Sequence, residues 1–115
     1  MNCRRGDIVL VLFPDSNLRT SKLRPALVVQ ADELASGLPQ TVVAMITSNR
    51  ARAGHPSRVA VPVSSELGQA SGLLTASVIM TDNLATIRYS EIDRVIGALP
   101  EASEIDAALR RRLAL

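Results

Sequence analysis

Apolar residues fall along this chain in short runs broken by turn-forming clusters, and only the last segment follows a helical period. Asp7–Phe13 is apolar and partly β-branched, and Pro14-Asp15-Ser16-Asn17 closes it. Proline with small polar residues marks a turn after a strand. Ala26–Gln30 forms a second run, and Thr41–Thr47 a third that follows Gly37-Leu38-Pro39. In Arg58–Val63 the side chains of Val59, Val61 and Val63 share one face. Pro62, with no N–H to give a ladder, predicts an edge strand or a bulge there. Ala76–Thr81, Ala85–Ile87 and Arg94–Leu99 complete the series, with Gly97 marking a bulge or a close approach. Short strands separated by turn signals predict a mainly β small barrel or sandwich.

Helices are expected in two places. Asp32–Ser36 predicts a short helix before Gly37. Ser103 is expected to cap a C-terminal helix whose first turn carries Glu104 and Asp106, matching its positive end. Ile105, Ala108, Leu109 and Leu113 fall on one face of it. Arg110, Arg111 and Arg112 close it, and read as a solvated, dipole-matched end ahead of a nucleic-acid patch.

The runs Ile8–Phe13 and Ala26–Val29 show almost no polar alternation, so their strands are expected to be buried on both faces. A small barrel normally leaves one face wet. A homodimer interface is predicted to cover it.

With 115 residues, 47% of them apolar, the chain reads as a single domain over residues 1–115 that needs no disulfide or metal staple. Cys3 is its one cysteine and cannot form an internal disulfide. The longest apolar run is far below the roughly 20 residues of a membrane span, and no small-residue cleavage site follows it. A cytoplasmic protein is expected. Lys and Arg number 13 against 11 acidic residues, and all but Lys22 of the 13 are arginine. Net charge alone does not demand nucleic acid, but placement matters. Arg19, Lys22 and Arg24 cluster before the second run, and Arg50, Arg52 and Arg58 flank a loop.

Most catalytic devices are missing. One Cys and one His exclude a zinc pattern, and His55 sits in a loop by composition. No glycine-rich phosphate loop is present, and no carboxylates pair at an acid–base spacing. What remains is Arg24 beside Pro25 and Thr47 beside Ser48 and Asn49, each at the mouth of an apolar strand. A planar cation and a hydroxyl together suit the grip of a phosphate. Taken singly, Arg24 reads as a surface arginine in an ion pair and Thr47 as a strand residue that closes a turn with Ser48.

The order of several segments resembles the MazF/PemK family, the endoribonuclease toxins of type II toxin–antitoxin pairs. Arg5-Gly6-Asp7-Ile8-Val9 matches the Gly-Asp before the family's first strand, and Phe13-Pro14 follows. Arg24-Pro25-Ala26-Leu27-Val28-Val29 matches its most recognisable segment, and Ile46-Thr47-Ser48 the strand end after it. Ser77-Val78-Ile79, Ala85-Thr86-Ile87 and Val95-Ile96-Gly97-Ala98-Leu99 echo the closing strands. The resemblance implies an SH3-like small barrel with short helices, including a C-terminal one, and a homodimer. It also implies cleavage of single-stranded RNA with no metal or other cofactor. By position it carries the catalytic roles to Arg24 and Thr47.

RNA brings its own nucleophile, the 2′-hydroxyl. The protein has only to orient it and to stabilise the charge that develops on the phosphate. Arg24 is too weak a base to take the proton, so Asp82 and a water molecule are the open choices. A 2′,3′-cyclic phosphate and a 5′-hydroxyl are the expected ends. Arg19, Lys22, Ser48, Asn49, Arg50 and Arg52 are the expected RNA contacts, with Pro14–Leu23 as a lid and Arg58 extending the groove. An antitoxin with an acidic, disordered tail is the implied partner. Two departures stand out: Asp82-Asn83 replaces the family's Asp-Gln, and Phe13 and Tyr89 are the only aromatic residues available for base stacking. The alternative is a non-catalytic toxin on the same fold that binds a protein such as DNA gyrase.

Overall fold

A computed structural model describes residues 3–14, 17, 19–99 and 101–115, apart from the side chains of Pro14, Arg50 and Leu67. Its strands are β1 (Asp7–Pro14), β2 (Ser21–Val28), β3 (Gln40–Thr47), β4 (Arg58–Val61), β5 (Ser77–Arg88) and β6 (Ile92–Ala98). Two helices, α1 (Glu66–Ser71) and α2 (Ser103–Leu113), complete the framework with short 3-10 turns at Arg50–Arg52 and Tyr89–Glu91. The strands form one antiparallel sheet in the order β4-β5-β3-β2-β1-β6. The expected mainly β architecture with a C-terminal helix is present. The sheet is not closed by strand pairing, since β4 and β6 remain its edges.

Helix α1 lies between those edges. It follows β4 in the chain and packs on β6. At Gly97 a Cβ would stand 2.4 Å from the Ala70 carbonyl oxygen, and at Gly72 2.0 Å from that of Ile96. Only glycine admits that approach. Gly97 also borders the register shift where Ile8 pairs with Gly97 but Val9 with Val95. Both expectations for Gly97 therefore hold. Composition did not predict α1, although Ser65 caps it through its Oγ, which accepts the Gly68 N–H at 3.0 Å.

Both faces of the sheet are buried. On one, Ile8, Leu27, Ile46, Val61 and Ile79 pack beneath Ile105 and Ala108 of α2. On the other, Val9, Val11, Ala26, Val28, Val43 and Met45 meet Ile87 and Ile92, with Cys3 and Tyr89 packed alongside. The double burial read from the uninterrupted apolar runs is thus achieved within one chain. Neither core needs a second copy to cover it. Exposed large apolar residues among those described include the cross-strand pair Leu12 and Leu23, and Leu34, Leu38, Leu74, Val95 and Leu115.

Several element limits differ from expectation. Strand β2 starts at Ser21 because the β1–β2 hairpin pairs as far as Pro14 with Ser21. Arg24 therefore sits inside a strand, and Ser21–Leu23 are strand residues rather than lid. Asp15, Ser16 and Leu18, also assigned to the lid, lie outside the described residues. The turn itself is set by Asn17, whose Oδ1 accepts the Arg19 N–H at 2.9 Å. The expected strands at Ala76–Thr81 and Ala85–Ile87 are one strand, β5, interrupted by a bulge: Ala44 pairs with Leu84 but Met45 with Met80.

Residues 32–36 form no helix, since Glu33 and Ala35 take φ of 56° and 52°. The cap of α2 is Ala102, not Ser103, which is already helical and donates its Oγ–H to Glu101. Leu113 is half exposed, so the apolar face of α2 ends at Leu109. No helix among the described residues is long and apolar enough to cross a membrane.

Candidate active site

The groove begins with a proline. The Val29 N–H bonds the Val42 carbonyl, whereas the Val28 carbonyl accepts from Gly6 on the other side. Odd-numbered residues of β2 therefore direct their N–H groups at β3. Pro25 has none to direct. The β2–β3 ladder accordingly covers only Ala26–Met45, Leu27–Ala44 and Val28–Val43. Beyond it the two strands continue unpaired, and an open groove of about 940 Å³ lies there. Two more residues of the same register would put Arg24 opposite Thr47, and both line this groove.

The groove also takes in Lys22, Ser48, Arg52 and Arg58, which are basic or hydroxyl-bearing. The Thr47 Oγ1 accepts the Asn49 N–H at 3.1 Å. That turn fixes the hydroxyl oxygen and leaves its proton to donate into the groove. Asn49 itself uses Oδ1 to receive the Ala51 N–H at 3.1 Å, which starts the 3-10 turn. Arg24 is exposed and stands opposite Val11 in β1, on the face that carries Ala26 and Val28.

Asp82 lies in the β5 bulge and lines the groove. Its carboxylate receives Arg58 Nη2 at 2.8 Å and Nε at 3.4 Å, and Arg112 Nη2 of α2 lies 3.8 Å away. Arg58 holds the Asp82 carboxyl below the usual carboxylate range by hydrogen bonding, a larger effect than the opposing burial. The same bond raises the Arg58 guanidinium above its ordinary value. A carboxylate so engaged is a poor proton acceptor, so of the two choices for the base, Asp82 is the weaker.

Arg112 also donates to the Ser57 Oγ at 2.6 Å, and that hydroxyl meets His55 Nδ1 at 2.8 Å. The end of the arginine triplet is thus more than a solvated helix terminus. His55 is exposed, and its Nδ1 accepts the Ser57 N–H at 3.1 Å.

Of the residues expected to contact RNA, Lys22, Ser48 and Arg52 line the groove with Arg24 and Thr47. Arg19 and Asn49 do not line it, and the Arg50 side chain lies outside the described residues. Residues not anticipated there include Arg94 of β6 and Met80 of β5. Only the pairing of β1 with β6 brings Arg94 near, opposite Leu10. Local sequence carries no sign of that contact.

Comparison with known proteins bears on this arrangement. The family of PemK-like, MazF-like toxins of type II toxin–antitoxin systems matches residues 4–113. This chain belongs to that family. The PemK/MazF assignment agrees with an endoribonuclease MazF6 of Mycobacterium tuberculosis, 34% identical over 107 residues that span 90% of each protein. Among solved structures, the toxin MazF-mt6 of Mycobacterium tuberculosis is similar with a TM-score of 0.73 at 24% identity, covering 95% of this chain and 97% of that one. An endoribonuclease in complex with its cognate antitoxin, from a mycobacterial species, gives the same TM-score at 23% identity over 99% and 97% of the two chains. The PemK/MazF fold is thus shared over nearly the whole length.

Proposed function

We propose that this toxin is an endoribonuclease that cleaves single-stranded RNA, without a metal, in the groove where β2 and β3 separate. The observation that carries the reading is the placement of Arg24 and Thr47 on facing strands at the point where Pro25 ends their ladder. In the reaction the RNA 2′-oxygen attacks the adjacent phosphorus and its proton passes to water. The P–O5′ bond breaks, and the departing 5′-oxygen takes up a proton. A 2′,3′-cyclic phosphate and a 5′-hydroxyl result. Arg24 offers two N–H groups to the phosphate oxygens as charge develops on them. Thr47 donates its proton to the same phosphate or orients the 2′-oxygen. Lys22, Ser48 and Arg52 hold the strand on either side. A toxin acting only through a protein surface has no use for this pairing of cation and hydroxyl.

The same reading gives the toxin an antitoxin partner, whose acidic segment is complementary to the basic groove. It works in the cytoplasm as a homodimer, and the exposed Leu12–Leu23 pair is apolar surface suited to a second copy. Incubation with mixed-sequence single-stranded RNA in excess chelator tests the activity. Fragments with cyclic-phosphate ends are expected, whereas intact RNA across many sequences would refute it.

A further inference from the structure

Arg58 lies on the same face of the sheet as Thr47 but two strands away. Met45 pairs with Met80, and Met80 with Arg58, so the three form a row across β3, β5 and β4. Thr47 is two residues along β3 from that row. Two inter-strand steps separate Arg58 from β3 by about 10 Å. That separation leaves room for Arg58 to take a different phosphate from the one gripped by Arg24 and Thr47.

The guanidinium is held for such a contact. Nε and Nη2 donate to the Asp82 carboxylate, and Nη1 donates to the Arg52 carbonyl at 3.2 Å. A guanidinium has five N–H groups. These bonds leave one N–H on each terminal nitrogen, and those two donors are the fork this guanidinium can offer an anion. Asp82 is itself fixed. Arg112 stands against it from α2, and the neighbouring Thr81 donates both its N–H and its Oγ–H to the Ser57 carbonyl. Two guanidinium groups, those of Arg58 and Arg112, stand against one carboxylate, so the cluster keeps an excess of positive charge.

We infer that Arg58, with Arg52 beside it, forms a second RNA-phosphate subsite, and that Asp82 and Arg112 are positioning residues that set the Arg58 fork. This rests on the ribonuclease reading for its ligand. It places the C-terminal helix in the architecture of the groove, and it accounts for Asp82 without a role as base.

The test has two arms. In the first, binding of a 2′-O-methyl RNA, which has no free nucleophile, is measured against salt concentration for the wild type, Arg58→Ala and Arg58→Lys. Loss of one phosphate contact on a single strand lowers the slope of log affinity on log salt by about 0.7. Arg58→Ala is expected to show that drop with about five- to tenfold weaker binding at low salt. Arg58→Lys is expected to recover the slope but not the full affinity, since an ammonium lacks the fork.

In the second arm, cleavage of unmodified RNA is measured for Asp82→Asn in the wild-type and Arg58→Ala backgrounds. A positioning role predicts that the Asp82→Asn effect appears mainly in KM and disappears once Arg58 is gone. An unchanged salt slope in folded Arg58→Ala would overturn the subsite. Equal loss of kcat from Asp82→Asn in both backgrounds would overturn the positioning role and make Asp82 the base. Wild-type protein that binds with the Arg58-dependent slope but cleaves nothing would uphold the subsite and refute the ribonuclease reading alone.

Discussion

The Asp82 carboxylate receives Arg58 Nη2 at 2.8 Å inside the β5 bulge, with Arg112 of the C-terminal helix 3.8 Å away. The pairing holds the folded-state pKa of Asp82 below its unfolded value of about 3.9. An acid with a depressed pKa stabilises the fold fully above its unfolded pKa and loses that contribution as pH falls through the folded one. Stability is therefore expected to fall below about pH 4, and Asp82→Asn is expected to flatten that limb. Urea unfolding across pH 2–6 for both proteins checks this. Parallel acid limbs would contradict it.

Gly97 and Gly72 let α1 lie against the β6 edge. A methyl group at Gly97 would meet the backbone of Ala70 and Ser71 at 2.4 Å, and backbone cannot swing aside as a flexible side chain can. Gly97→Ala is expected to cost about 1–3 kcal/mol, the usual range for overpacking. Gly54→Ala separates the other cost of a methyl group, since its Cβ meets nothing within 4 Å but its φ of 91° strains the backbone. Denaturant midpoints at constant slope measure both. A Gly97→Ala protein as stable as the wild type would show that α1 does not depend on the close approach.

Pro25 is responsible for the opening of the groove in this account. Pro25→Ala restores an N–H directed at β3, which permits the ladder to extend toward Thr47. The variant is expected to remain folded, because its neighbours are already paired with β1. Cleavage is expected to fall by about tenfold or more, since small displacements of positioning groups are costly to orientation. Steady-state kcat/KM on one RNA substrate measures it. Unchanged activity would mean that the strands separate for another reason.

Much of this architecture is written locally. The runs at Asp7–Phe13 and Thr41–Thr47 and the acidic-to-basic gradient of the last helix announce their elements through composition and period alone. The joining of Arg24-Pro25 with Thr47-Ser48 into one site rests on the family resemblance, since each taken singly reads as an ordinary strand-end residue. Features that depend on pairing were not legible. β2 begins at Ser21 because β1 is long enough to pair with it, although Ser21-Lys22-Leu23-Arg24 has the composition of a loop. Thr81–Asn83 reads as a break between two strands, because a bulge and a turn both interrupt apolar alternation. Asp32–Ser36 has helix-compatible residues, but Asp32 Oδ1 accepts the Arg5 N–H at 2.8 Å and the loop bends through positive φ at Glu33 and Ala35. The link from Arg112 to Ser57 spans 55 residues, and no spacing rule reaches that far.

The central claim is that Arg24 and Thr47 act on one phosphate. It is tested most directly by single-turnover cleavage of one RNA substrate, in chelator, by the wild type, Arg24→Ala, Thr47→Ala and the double variant. Each single change is expected to slow the chemical step by about 10²–10³-fold, the usual loss for one donor to a developing oxyanion. The double variant is expected to lose less than the product of the two, because the groups share one phosphate. Folded single variants that cleave at the wild-type rate would contradict the account.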